Sequence, residues 1–306
     1  INSKFTDINT HFLNFIYNIL SMKPIITATE LSEIFNQENL IILDARVGKN
    51  ARENYLQNHI KGALFINLDE DLADIGENAA FGGRHPLPKV SKFAEVLQNL
   101  GISEDSHVVI YDLANGGNAA ARCWWMLRAF GLEKVQVLSG GFQKAEKFGI
   151  ATNSGEEYSI KTEINAPENW LLKTSTLEEV EKEIADNSAT VIDVRDAYRY
   201  RGESEPIDLV AGHIPGAINI PFSENLDENG EFLFPEILKE KYQQFLADAS
   251  PQLNMTKKLI IHCGSGVTAC HTILALDYVG FPIPNLYVGS WSEWSRRECK
   301  EIAKEV

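Results

Sequence analysis

Short apolar runs alternate along this chain with longer stretches whose apolar positions recur at helical spacing. The runs "LIILDAR" (Leu40–Arg46), "VVIYD" (Val108–Asp112), "ATVIDVR" (Ala189–Arg195) and "LIIHC" (Leu259–Cys263) are rich in β-branched residues. They read as strands buried on both faces of a parallel sheet. Between them, Thr27–Gln37 and Thr174–Asp186 read as helices, each opening on Thr or Ser with acidic residues soon after. "AAARCWWMLRAFGL" and "TACHTILALDYVGF" predict two apolar helices that stop at Gly131 and Gly280. Strand and helix in alternation predict an α/β fold of mainly parallel sheets flanked by helices.

The pattern occurs twice. Leu40–Arg46 matches Ala189–Arg195, "HIKGALFIN" (from His59) matches "HIPGAINIP" (from His213), "VVIYD" matches "LIIHC", and "LSGGF" (from Leu138) matches "YVGSW" (from Tyr287). The offsets are 149, 154, 151 and 149 residues, in unbroken order. Two copies of one fold are expected: residues 24–149, a polar linker at 150–173, and residues 174–306.

Composition narrows the partners. With 306 residues and a net charge of -15, the chain has room for two domains and lacks the basic balance that nucleic acid binding requires. Four cysteines in this length do not form a disulfide framework, so a reducing, cytoplasmic setting is expected. No apolar run approaches the ~20 residues that span a bilayer. The stretch before Met22 (apolar from His11 to Leu20) has neither the basic flank nor the cleavage site of a secretory signal; it reads as peripheral, with Met22 an alternative start.

The chemistry concentrates at Cys263, where a strand ends, a glycine turn follows and a helix begins near Thr268. Ligands of parallel α/β sheets sit beyond strand carboxyl ends. Gly264 and Gly266 let the turn fold tightly with its N–H groups inward, and the helix adds its positive end. Both favour a thiolate, so the Cys263 pKa should lie below ~8.5. A strand-end cysteine is ordinarily a small core residue. Here the turn, and Asp112 at the matching position of the first copy, argue for an active and a scaffolding half. A cysteine phosphatase would need Arg at position 269, which is Ala. A dithiol enzyme would pair Cys263 with Cys270, which reads as helix core. Sulfur transfer, which needs one activated thiol and a cradle for bound sulfur, fits best.

The motifs "DVR" (Asp193–Arg195), "GHIPGAINIPF" (Gly212–Phe222), "CGSGVTAC" (Cys263–Cys270) and "LYVGSWSEW" (Leu286–Trp294) together make the chain resemble the tandem-domain rhodanese-like sulfurtransferases, over about Pro24 to Arg297. That family includes thiosulfate and 3-mercaptopyruvate sulfurtransferases. The resemblance implies two rhodanese-like domains and a catalytic Cys263 persulfide. It also implies a small-molecule sulfur donor, a thiol or thioredoxin-type acceptor, no cofactor, no metal and no membrane partner. The string at Cys263, Gly264, Ser265, Gly266, Val267 and Thr268 is the form typical of the mercaptopyruvate enzymes. Thiosulfate enzymes typically place Arg and Lys where Gly264 and Ser265 stand. Ser265 is expected to bind the donor carbonyl or relay a proton. Arg199 matches the family's substrate-binding arginine. Arg195 joins the binding set, with a structural role near the turn as the alternative. The family's second such arginine is missing, its region holding Ile207 and Asp208. An acid/base Asp and His from the first domain are implied, and His59 and Asp44 are the candidates, although both recur in each copy, as shared structural residues would. Arg84 in "GGRHPLP" could add charge, and Trp291 and Trp294 could wall the site or pack the core. A thiosulfate-preferring enzyme and a slow sulfur carrier are the alternative functions.

Overall fold

A computed structural model describes residues 22–249 and 257–305, so the peripheral stretch before Met22 lies outside the described residues. The first copy runs β1 (Ile25–Ile26), α1 (Ala28–Ile34), β2 (Leu40–Asp44), α2 (Ala51–Gln57), β3 (His59–Ile60), β4 (Leu64–Phe65), α3 (Val90–Asn99), β5 (His107–Tyr111), α4 (Ala119–Phe130), β6 (Val135–Leu138), α5 (Gly141–Phe148) and β7 (Thr152–Asn153). The second runs β8 (Thr174–Ser175), α6 (Leu177–Ala185), β9 (Ala189–Asp193), α7 (Ala197–Arg201), β10 (Ile218–Asn219), α8 (Pro235–Ala249), β11 (Lys258–His262), α9 (Ala269–Tyr278), β12 (Asn285–Tyr287) and α10 (Ser290–Trp294).

Each copy builds a five-stranded sheet, in the orders β1-β6-β5-β2-β4 and β8-β12-β11-β9-β10. Every pairing in both is parallel, and the two orders coincide when corresponding strands are matched. The central strands β5 and β11 are the apolar runs that end at Asp112 and Cys263. Thr27 and Thr176 close capping boxes with Glu30 and Glu179, which fixes where α1 and α6 begin. Gly131 caps α4 in the left-handed region, φ 111°.

The repeated Asp-x-Arg and His motifs do the same work in both halves. Arg46 grips Asp44 and the Asn58 carbonyl, and Arg195 grips Asp193 and the Gly212 carbonyl. His59 donates from Nδ1 to the Tyr55 carbonyl and stacks on that ring, and His213 does so with Tyr200.

The helices α4 and α9 are apolar nearly all round, so each must be covered on both sides. They pack against one another, and one continuous core runs from Trp124 and Trp125 to Ile273 and Leu274. This places the carboxyl ends of β5 and β11 at the junction of the halves. There, each half covers the other's loop. Phe232 N–H donates to Ser139 Oγ beside the Asp112 loop, and Arg84 N–H donates to Ser292 Oγ (3.0 Å) beside the Cys263 loop. No described helix is long and apolar enough to cross a membrane.

Candidate active site

The two loops answer the same geometric problem in different ways. In the first copy the backbone wraps the Asp112 carboxylate. Oδ1 accepts from the N–H groups of Ala114 and Gly116 (both 2.8 Å), and Oδ2 from Asn118 (3.0 Å) and Ala120 (3.2 Å). Burial pushes this carboxyl's pKa up and the four donors oppose it. Two oxygens that accept four N–H bonds act as an anion.

In the second copy Cys263 stands at that position, 1% exposed, and the loop to the helix is one residue shorter. Its carbonyls are tied down. Cys263 O accepts from Trp291 N–H (3.0 Å), Gly264 O from Ser292 N–H (2.8 Å), and Gly266 O from Arg122 Nη1 (3.1 Å). A planar trans peptide points its N–H opposite to its C=O, so these bonds turn the N–H groups of Gly264, Ser265 and Val267 the other way. Among the described residues, the N–H groups of 264–269 have no protein acceptor. Gly266 makes the turn possible: it sits at φ +71°, and a Cβ there would come within 2.6 Å of the Val288 carbonyl oxygen. Thr268 precedes α9, whose positive end faces the loop, although its side chain makes no cap bond.

Ser265 is brought into contact with the first copy. Its Oγ lies 2.8 Å from His85 Nδ1, and His85 Nε2 lies 3.3 Å from Asp69 Oδ1. A carboxylate only accepts, so the Nε2–H donates to Asp69 and Nδ1 is free to accept from the Ser265 hydroxyl. Burial, then the neighbouring Arg84 charge, pulls the His85 pKa down to about 4. The imidazole is therefore neutral at neutral pH, with a lone pair on Nδ1 turned to the Ser265 hydroxyl.

Guanidiniums cluster over the loop. Arg84 Nη2 would lie 3.0 Å, and Arg199 Nη2 3.5 Å, from a Cβ placed on Gly264, so both guanidiniums crowd the start of the loop. Asp208, buried, gathers Arg84 (3.1 Å), Arg296 (2.9 Å) and Arg199 (3.5 Å). Glu205 joins Arg199 to Arg195.

The expected site residues thus separate. Cys263, Gly264, Ser265, Gly266, Val267, Thr268 and Arg199 come together, with Arg84 beside them. Arg195 does not reach them: its guanidinium is consumed by Asp193, Glu205 and the Gly212 carbonyl and lies 4.6 Å from the Trp291 ring centroid. His59 and Asp44 are likewise held within the first half by Tyr55 and Arg46, and the imidazole at Ser265 is that of His85. Trp291 and Trp294 are core. His85, Asp69, Arg296 and Arg122 escaped the sequence reading. The signals were present: His85 adjoins Arg84 in a loop of Gly and Pro, and Arg122 interrupts an apolar helix.

A sequence profile of the rhodanese-like domain matches residues 27–147 and 176–297. A probable 3-mercaptopyruvate sulfurtransferase of Pseudomonas aeruginosa is 38% identical over 292 residues, which cover 93% of this chain and 99% of that protein. A thiosulfate sulfurtransferase of Gallus gallus is 37% identical over 81% of this chain and 82% of its own length. The crystal structure of the 3-mercaptopyruvate sulfurtransferase SseA from Escherichia coli superposes with a TM-score of 0.74 at 32% identity, over 89% of this chain and all of that one.

Proposed function

The chain belongs to the tandem rhodanese-like sulfurtransferases, and on that premise we propose that it moves sulfur from 3-mercaptopyruvate to a thiol through a persulfide on Cys263. The observation that carries this reading is the pair of loops. One wraps a permanent carboxylate in four N–H bonds. The other presents unpaired N–H groups around a thiol. Buried N–H groups are rarely left unpaired, so the second loop is built for an anion that comes and goes.

The Cys263 thiolate attacks the donor sulfur. The C–S electron pair leaves with carbon as the enolate of pyruvate, whose oxygen the Ser265 hydroxyl stabilises. The proton of the donor thiol passes through Ser265 and His85 to the enolate carbon, which becomes a methyl group. A persulfide anion remains on Cys263 among the loop N–H groups and the positive end of α9. The acceptor thiolate then attacks the outer sulfur, and Cys263 leaves as thiolate.

Charge selects the donor. Arg84, Arg195, Arg199 and Arg296 face three carboxylates, Asp193, Glu205 and Asp208, which leaves one positive charge over. Asp208 and Arg84 hold the place that a donor carboxylate would take, and Arg84, 27% exposed on its side chain, is free to exchange partners. A single surplus charge suits a monocarboxylate and leaves the thiosulfate dianion half compensated. The experiment is kcat/KM for both donors with one thiol acceptor. Mercaptopyruvate is expected to lead by at least about tenfold, the worth of one charge-assisted contact. A lead for thiosulfate overturns the donor assignment and leaves the persulfide reading standing.

A further inference from the structure

Arg122 lies in α4 of the copy without the thiol, and its side chain is fully buried. Burying a guanidinium costs several kcal/mol unless an anion compensates it. The other buried arginines are compensated: Arg46 by Asp44, Arg195 by Asp193 and Glu205, Arg199 by Glu205. Arg122 has only neutral partners. Nη1 donates to Gly266 O (3.1 Å), Nη2 to His85 O (3.1 Å) and Leu72 O (3.3 Å), and Nε–H is unpartnered among the described residues. The groups near it able to carry a full negative charge are two thiols, Cys270 and Cys263. Cys270 Sγ donates to Gly266 O (3.3 Å), and burial pushes its pKa up to about 12, so it stays a neutral thiol. Among the described residues that leaves Cys263, at the head of the loop whose Gly266 carbonyl Arg122 holds, as the neighbouring group that could balance the charge.

We propose that Arg122 is the resident counter-charge of the sulfur anion on Cys263 and the positioning residue that ties His85 to the Cys263 loop. This rests on the persulfide reading above. Thiolate and persulfide carry the same charge, so one fixed cation serves both halves of the reaction without rearrangement. The same side chain holds the carbonyl of His85 in the first copy and that of Gly266 in the second, so it sets the distance between proton relay and sulfur cradle. The copy without the thiol thereby supplies the charge that the other copy's thiol requires.

The test is a pH titration of thiolate ultraviolet absorbance in the full chain, each variant being read against its own Cys263→Ser counterpart. The other charged or titratable groups near the loop are unchanged throughout: Arg84, His85, Arg199, Asp208, His262 and Cys270. Arg122→Gln keeps hydrogen-bond donors and removes the charge, and it is expected to raise the midpoint by about one pH unit, about a tenfold loss of thiolate below it. Arg122→Lys keeps the charge and loses the fork, and is expected to titrate like the wild type. A merely structural arginine would let the Gln and Lys variants titrate alike, since neither would then remove a charge that acts on the sulfur. A Gln variant at the wild-type midpoint, or a folded Lys variant raised as far as free cysteine, overturns the proposal, so either variant decides alone if the other fails to fold. A wild-type midpoint no lower than that of free cysteine would instead sink the underlying thiolate reading.

Discussion

Ser265 sits two residues from Cys263, yet its partner His85 comes from 180 residues away in the other half. In the proposed mechanism His85→Gln keeps a polar group at that point and removes the base, so kcat with mercaptopyruvate should fall by about 100-fold with KM little changed. The same residue predicts a pH dependence of stability. Its pKa is lowered on folding from 6.5 to about 4. As pH falls through that window the unfolded chain takes up a proton that the folded chain refuses, so stability declines. His85→Gln should flatten the fall in melting temperature across the window; an unchanged slope would remove His85 as its source. The sequence pointed to Cys263, Ser265 and Arg199, which the fold brings together, because a strand end, a glycine turn and a local arginine are properties of contiguous residues. It pointed to His59 and Asp44 and passed over His85 and Asp69. Repetition in both copies marked the first pair as a shared structural device, and the structure shows them gripping Tyr55 and Arg46. The His85 contact depends on how two halves meet, which no local pattern encodes.

At the scale of elements, the strand–loop–helix unit exists in a sealed and an open form. Asp112→Ala strips the sealed form of its anion and leaves four buried N–H groups unpaired. The cost should be about 3 kcal/mol, measured as a shift in denaturant midpoint at constant slope, and sulfur transfer should persist in whatever fraction stays folded. A neutral Asp112→Ala would mean that this loop does not depend on a bound charge, and the comparison with Cys263 would lose its force. Elements were the most legible level. The apolar runs became β2, β5, β9 and β11, and the Thr27 and Thr176 boxes opened α1 and α6. The short edge strands β1, β4, β8 and β10 span two residues each and carry too little pattern to be read.

In the whole molecule, the Cys263 loop is completed by residues from the half that carries Asp112 in place of a cysteine. Gly83 is the point of closest approach: it sits at φ +79°, and a Cβ there would lie 2.4 Å from the Gly289 carbonyl oxygen. Gly83→Ala should push the Arg84–His85 segment off the loop and lower kcat/KM by at least about tenfold. Unchanged kinetics would show that the halves need not touch here. Two copies, an acidic charge balance and the rhodanese-like resemblance were visible in the residues. The exchange of loops between copies was not, because it follows from packing α4 on α9. Most directly, the full chain should be mixed with 3-mercaptopyruvate without acceptor, quenched in acid and weighed by peptide mass spectrometry. The account predicts one added sulfur atom on the Cys263 peptide, lost on adding a thiol and missing from Cys263→Ser; pyruvate released with no sulfur on Cys263 would contradict it.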